Sequence, residues 1–363
     1  MKRLLIVTAI CVFCVVLGLI GSELQPDSRS EGQTAASRGK QNTEMKNGFV
    51  TVYTARHYEA DPLLFEAFTK KTGIEVVEIK GTAEELIARM KRDGDRSDAD
   101  LFFAVDGGVL NVAKRENVLQ PLRSETLDSQ VPAKWRDPDH YWTGVATRAR
   151  VIVYAKDRVK PEELSTYEDL TDEKWRGRVL ARSYASLYNQ SLLASFIALN
   201  GADEAERWAR GIVANFARTP EGGDRDQAQA IADGIGDVAI MNTYYVGQLA
   251  ASSDPDEAQL AEGLGVFFPN QETTGTHLNI SGIGLARYSE NRDNALKLME
   301  YLTSKEGQTL LARESFEFPV NLEAEAADPL RSWGTFKAQR LDFADLEQYR
   351  QEAIGIFDKA GWK

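Results

Sequence analysis

From Gly48 onward the chain alternates short apolar runs with amphipathic stretches, the pattern of an α/β sheet covered on both faces. Phe49 to Thr54 alternates as a strand, and Ile74 to Ile79 and Asp100 to Val105 read as the next two. Between the first pair, Leu64, Phe65 and Phe68 give a helix its apolar stripe. Asp61 is expected to cap that helix, with Pro62 in its first position and Gly73 as its stop. Thr82 with Glu85 forms a capping box for a helix ending at Gly94. A polar stretch from Gln120 to Trp142 then leads into a long strand, Val145 to Tyr154. A second α/β series follows, with strands at Arg178 to Ala181, Asp237 to Met241, Leu264 to Phe268 and Ile280 to Ala286. Helices are expected at Asn189 to Asn200 and around Glu204 to Phe216, and Asn291 to Ala312 is strongly amphipathic. Two lobes joined by strands near 145–150 and 275–282 accommodate this order. Open α/β sheets bind ligands outside the carboxyl ends of their strands, so two facing edges make a cleft that closes about a hinge.

The first segment does not fit this pattern. Met1-Lys2-Arg3, an apolar run from Leu4 to Ile20, and Gly21-Ser22 describe an export signal over residues 1–22. The run is near the lower limit for a membrane span, so a retained N-terminal anchor is the alternative. Cys11 and Cys14 lie inside the run without the preceding small residues of a lipid-attachment site. Residues 23–47 are almost wholly polar and read as a flexible tether with a reach on the order of 25–30 Å. The body is therefore expected outside the cytoplasm, touching a membrane only through that anchor.

Composition narrows the classes. With 363 residues, 43% of them apolar, the chain can build two lobes. Asp and Glu number 55 against 43 Lys and Arg, a net charge of −12, which argues against nucleic acid as a partner. Three His and two Cys exclude a protein with several zinc sites. No catalytic constellation stands out: there is no Gly-x-Ser-x-Gly elbow, no phosphate-binding loop and no His-Glu-x-x-His. Gly282-Ile283-Gly284 lacks the third glycine of a dinucleotide fingerprint. His140 and His277 sit in polar, loop-like sequence and read as surface or hydrogen-bonding residues. Glu84-Glu85 and Glu162-Glu163 fall at helix starts, where they favour the dipole. The chain is read as a binder rather than an enzyme.

The tyrosines are placed differently. Arg56-His57-Tyr58 follows the first strand, Tyr244-Tyr245 follows the Asp237 to Met241 strand, and Tyr188 opens the helix after the strand near Leu180. All lie at strand-to-helix turns, on ligand-binding edges. Tyrosine is amphipathic and packs readily in any half-buried place, so position alone leaves packing as an equal reading. Phenols with an imidazole suit a hard trivalent cation. Each phenol deprotonated at neutral pH costs about 4 kcal/mol, which ferric iron offsets and calcium or magnesium does not.

At these residues the sequence resembles the ferric-iron-binding proteins of bacterial ABC importers, particularly the cyanobacterial Fut type. The resemblance spans residues 48–363. It rests on Thr54-Ala55-Arg56-His57-Tyr58, Lys174-Trp175-Arg176-Gly177-Arg178-Val179, Tyr188-Asn189-Gln190-Ser191, Asn242-Thr243-Tyr244-Tyr245 and Gly265-Val266-Phe267-Phe268-Pro269-Asn270-Gln271. It implies a two-lobed type II periplasmic-binding-protein fold with Fe(3+) held by His57, Tyr58, Tyr188, Tyr244 and Tyr245. The lobes are expected at 48–146 plus about 276–325, and 147–275 plus about 326–363. Four phenolates on a trivalent ion leave one negative charge, for which Arg148 or Arg150 is the expected neighbouring cation, a surface salt bridge being their other reading. With five protein ligands no obligatory anion is expected, and water can take a sixth place. The implied partner is an inner-membrane ABC permease, and the protein is expected to be a monomer. Two alternatives stay open: a binder of a small organic cation, with the tyrosines as stacking surfaces, and an iron buffer that meets no permease.

Overall fold

The computed structural model describes residues 48–363. The expected export signal at 1–22, with Cys11 and Cys14, and the tether at 23–47 lie outside the described residues. Among those described, no helix is long and apolar enough to cross a membrane.

The first half of the chain forms β1 (Phe49–Thr54), α1 (Ala60–Thr72), β2 (Glu75–Lys80), α2 (Ala83–Asp93), β3 (Leu101–Ala104), α3 (Gly107–Arg115), β4 (Leu119–Gln120) and α4 (Glu125–Gln130), then the long β5 (Thr143–Ala155). It continues through β6 (Val179–Leu180), α5 (Leu187–Asn200), α6 (Ala202–Ala214), α7 (Asp224–Ala232), β7 (Val238–Asn242), α8 (Thr243–Ala250), α9 (Pro255–Gly263) and β8 (Leu264–Phe267). The remainder is β9 (Leu278–Ala286), α10 (Arg292–Thr303), α11 (Lys305–Ser315), β10 (Phe318–Pro319), α12 (Asp328–Ser332), α13 (Phe343–Gln348) and α14 (Arg350–Ala360).

Strand order is β2-β1-β3-β9-β5-β7-β6, with β4 beside β9 and with β8 and β10 beside β5. β5 organises both halves. Its residues Thr143 to Ala149 run antiparallel to β9, and Arg150 to Tyr154 run antiparallel to β7. One continuous strand thus belongs to two sheet halves. It is buried along its whole length, including Arg148 and Arg150. Each half carries its own apolar packing: Val50, Leu64, Phe68 and Phe103 on one side, Val151, Leu180, Ile231 and Met241 on the other. Burial in these packed layers is the main favourable term for the fold.

Local signals held where no distant group competed. Gly73 closes α1 in the left-handed conformation, at φ 72°. Thr82 and Glu85 make the expected reciprocal capping box. The amphipathic stretch from Asn291 splits because the Ser304 hydroxyl accepts from Gly307 N at 3.1 Å and starts a new helix, α11. Asp61 corrects the reading of α1. The helix begins at Ala60, and the Asp61 carboxylate turns inward to the Arg56 guanidinium instead of capping.

The C-terminal segment straddles the two halves. Phe343 and Leu346 of α13 seat on Gly107-Gly108 at the start of α3, while α14 packs on α5 and α6. A Cβ at Gly107 would lie 2.5 Å from Phe343 Cδ1 and 2.8 Å from its Cβ. Gly107→Ala is therefore predicted to destabilise the protein by about 1–3 kcal/mol through overpacking. Urea unfolding checks this, and an unchanged midpoint contradicts it.

Candidate metal centre

The β1–α1 turn carries His57 and Tyr58, the first turn of α5 carries Tyr188, and the first turn of α8 carries Tyr244 and Tyr245. α8 starts directly at the end of β7, so its first-turn side chains project from the strand edge. The N-termini of α5 and α8 favour negative charge at the places these phenols occupy.

The four phenols converge. Tyr244 Oη donates to Tyr188 Oη at 3.1 Å, across residues far apart in sequence. Tyr58 meets Tyr244 edge to face, ring centroids 5.3 Å apart, and Tyr244 and Tyr245 rings lie 4.2 Å apart. Tyr58 is buried and its hydroxyl has no hydrogen-bond partner. A buried polar oxygen without a partner is costly unless a ligand completes it. His57 is exposed, its ring 5.7 Å from that of Tyr58. It lines a cavity of about 460 Å³ together with Tyr188, Tyr245, Arg182 and Arg350. No group of three or more His, Cys, Asp or Glu able to hold a metal occurs among the described residues. A metal in this cleft would therefore depend on phenol oxygens.

A profile of the bacterial extracellular solute-binding protein family matches residues 97–346. Iron uptake protein A1 of Synechocystis is 44% identical over 314 residues, covering 86% of this chain and 87% of that protein. The chain belongs to this solute-binding family. A Trichodesmium protein solved in complex with iron and citrate ligands matches with a TM-score of 0.82 at 44% identity, over 87% of this chain and 100% of that one. An apo Synechocystis relative matches with a TM-score of 0.80 at 41% identity, over 87% and 99%. These neighbours bear out the type II periplasmic-binding-protein fold expected from the sequence, in a family of substrate-binding transport proteins.

In this solute-binding protein three guanidinium groups surround Tyr188: Arg182 Cζ lies 5.3 Å from its ring centroid, Arg148 5.6 Å and Arg150 5.9 Å. Arg148 and Arg150 are both buried, so neither is a surface salt bridge. Their roles differ. Arg150 donates to Asp224 Oδ2 at 2.9 Å, Asn189 Oδ1 at 2.8 Å and Ile240 O at 3.0 Å. Arg148 donates to the Val105 carbonyl, and its Nε and Nη1 have no partner. Against the burial that disfavours its charge, Tyr58, Tyr188, Glu317 and Asp106 hold the Arg148 guanidinium above its ordinary range.

Burial pushes the Tyr58 and Tyr244 phenols well above the ordinary tyrosine range, and neighbouring phenols push in the same direction. Burial raises Tyr245 as well. Tyr58, Tyr244 and Tyr245 are accordingly protonated at neutral pH.

Sequence reasoning missed three supports. Arg182 follows β6, a strand-end position like those of the tyrosines, and that placement was a usable signal. Asp106 caps α3 through Val109 N at 3.0 Å and also accepts from Asn279 Nδ2 at 2.6 Å and Ser191 Oγ at 2.5 Å. His277, read as a surface or hydrogen-bonding residue, is the second of these: it is buried directly before β9, its Nδ1 is 3.0 Å from Gln339 Oε1, and burial pushes it down to about 4. The third missed support is Asp224. Asp224 ties the two phenol-bearing turns together, because it accepts from Arg150 and from Asn242 N at 2.8 Å, while Arg150 reaches Asn189 beside Tyr188. Asp224→Ala leaves Arg150 buried without its anion and is predicted to cost about 3–5 kcal/mol. Denaturant unfolding measures it; a loss below 1 kcal/mol would contradict this role for Asp224.

Proposed function

We propose that this protein captures ferric iron in the tyrosine-lined cleft of its exported body and hands it to an inner-membrane ABC permease. The convergence of four phenols from three separate turns, around a buried hydroxyl with no partner, carries this reading. His57, Tyr58, Tyr188, Tyr244 and Tyr245 are the proposed ligands. Hard oxygen donors match a hard trivalent ion. Four phenolates leave the complex one negative charge, and Arg148, with two free donor nitrogens facing no partner, is the group that offsets it. Arg150 is already matched by Asp224. The names of relatives support the same cargo: iron uptake proteins in Synechocystis and a major ferric iron-binding protein in Neisseria meningitidis.

Capture requires no chemical conversion of the cargo. The ion exchanges protons for charge: phenol protons leave as the metal enters, and the two halves close on it about β5 and β9. The permease would read the closed surface, and one molecule carries one ion.

Titration of the apo protein with ferric citrate is expected to produce an orange to red tyrosinate-to-iron band. The band is expected to weaken in Tyr188→Phe and to vanish when Tyr244 and Tyr245 are both changed to Phe. A protein that stays colourless and shows no ferric affinity defeats the proposal and favours a small organic cation as cargo.

The sign of the pH dependence follows from the raised phenols. Tyr58, Tyr244 and Tyr245 are held protonated, so binding must expel their protons and ferric affinity falls as pH falls. Binding at a series of pH values, with released protons counted in weakly buffered solution, checks this; a pH-independent affinity contradicts it.

A further inference from the structure

Arg56 lies two residues before Tyr58, and its side chain is completely buried. Its guanidinium is sandwiched between two rings, with Cζ 4.3 Å from the Tyr58 centroid and 4.6 Å from that of Phe103. Its in-plane donors are also taken. Nε donates to Asp61 Oδ2 at 3.0 Å, Nη2 to Asp61 Oδ1 at 2.9 Å, and both Nη1 and Nη2 to Glu317 Oε2 at 3.2 Å. The other Glu317 oxygen accepts from Ser281 Oγ at 3.3 Å. The group is fixed on both faces and along its edge.

Stability alone does not account for such a cluster. Two carboxylates and one guanidinium without solvent lose much of their attraction to desolvation, and apolar side chains of similar volume commonly serve a core as well or better. The cluster also recruits a distant corner. Glu317 stands between α11 and β10, directly after Phe316, which adopts φ 58°. That left-handed conformation is uncommon for a bulky residue. The Phe316 ring packs with the Tyr58–Tyr244 group, and a Cβ at Gly247 in α8 would lie 3.0 Å from Phe316 Cβ. One corner thus supports both the cation beneath Tyr58 and the helix that presents Tyr244 and Tyr245.

The geometry points to Arg56, clamped by Asp61 and Glu317, as a positioning residue that holds the Tyr58 ring in the orientation the ion requires. The Tyr58 hydroxyl has no hydrogen bond of its own to fix it, so the ring face is where it is held. Lysine cannot substitute, because a point charge offers neither a planar face to the ring nor a fork to two carboxylates. This inference rests on the ferric reading above.

The test is a double-mutant cycle. Arg56→Lys and Glu317→Gln are each made in the native protein and in Tyr58→Phe, and ferric affinity is measured by citrate competition along with the visible band. In the native background each is expected to weaken ferric binding roughly 10–100-fold, as outer-shell partners of metal ligands do, and to shift the band. In the Tyr58→Phe background further loss should be nearly absent. An equal loss in both backgrounds, or no loss in the native one, overturns the role. If Arg56→Lys does not fold, Glu317→Gln, which keeps the Asp61 pair, completes the cycle. A native protein without any ferric band overturns the ferric reading and this inference with it, whereas a banded native protein with a flat cycle overturns this inference alone.

Discussion

Crowding four phenols, three of them buried and one half-buried, against one another is the constraint on which the rest of this structure depends. Their oxygens can stay neutral and share one hydrogen bond, Tyr244 to Tyr188, or they can ionise together when a highly charged cation arrives. Burial disfavours ionising Tyr58, Tyr244 or Tyr245 singly, and neighbouring phenols disfavour ionising them together. On the proposed ferric reading, the site discriminates by charge. A monovalent or divalent ion gains too little to displace several protons, whereas a trivalent one gains enough.

The arginines divide the electrostatic work. Arg148 and Arg150 are two positions apart on β5, where side chains share a face. Arg150 directs both Nη nitrogens to Asp224, Asn189 and Ile240 and so fixes the turns that carry Tyr188, Tyr244 and Tyr245. Arg148 keeps two nitrogens free next to the phenols. Both lie where β5 passes from β9 to β7, so in the proposed complex the strand that joins the two halves would also supply the counter-charge. A structural role and an electrostatic role are kept on separate side chains, and a change at one need not abolish the other.

Much of this was legible in the sequence because it is local. Strand-to-helix turns are marked by a few consecutive residues, and once β1, β6 and β7 are placed, Tyr58, Tyr188, Tyr244 and Tyr245 fall at their ends. The α/β alternation, the Gly73 stop and the Thr82–Glu85 box are read the same way. What escaped is non-local. Asp61 beside Pro62 has every local mark of a cap, yet a buried guanidinium competes more strongly for its carboxylate than the helix N-terminus does. Nothing near Arg56 announces Glu317, which arrives 261 residues later. His277 sits among polar neighbours and is nevertheless buried, because β9 runs through the centre of the sheet and Gln339 covers its ring. Polar groups in a core are settled by partners that only the fold brings near.

The central claim is that phenolate oxygens, not carboxylates or a bound organic molecule, hold the cargo. Resonance Raman spectroscopy of the ferric-loaded protein, excited within its visible band, tests this most directly. Ring modes of iron-bound tyrosinate should appear, and they should diminish when Tyr58, Tyr188, Tyr244 or Tyr245 is replaced by Phe. Iron bound at one equivalent without tyrosinate modes would contradict the claim.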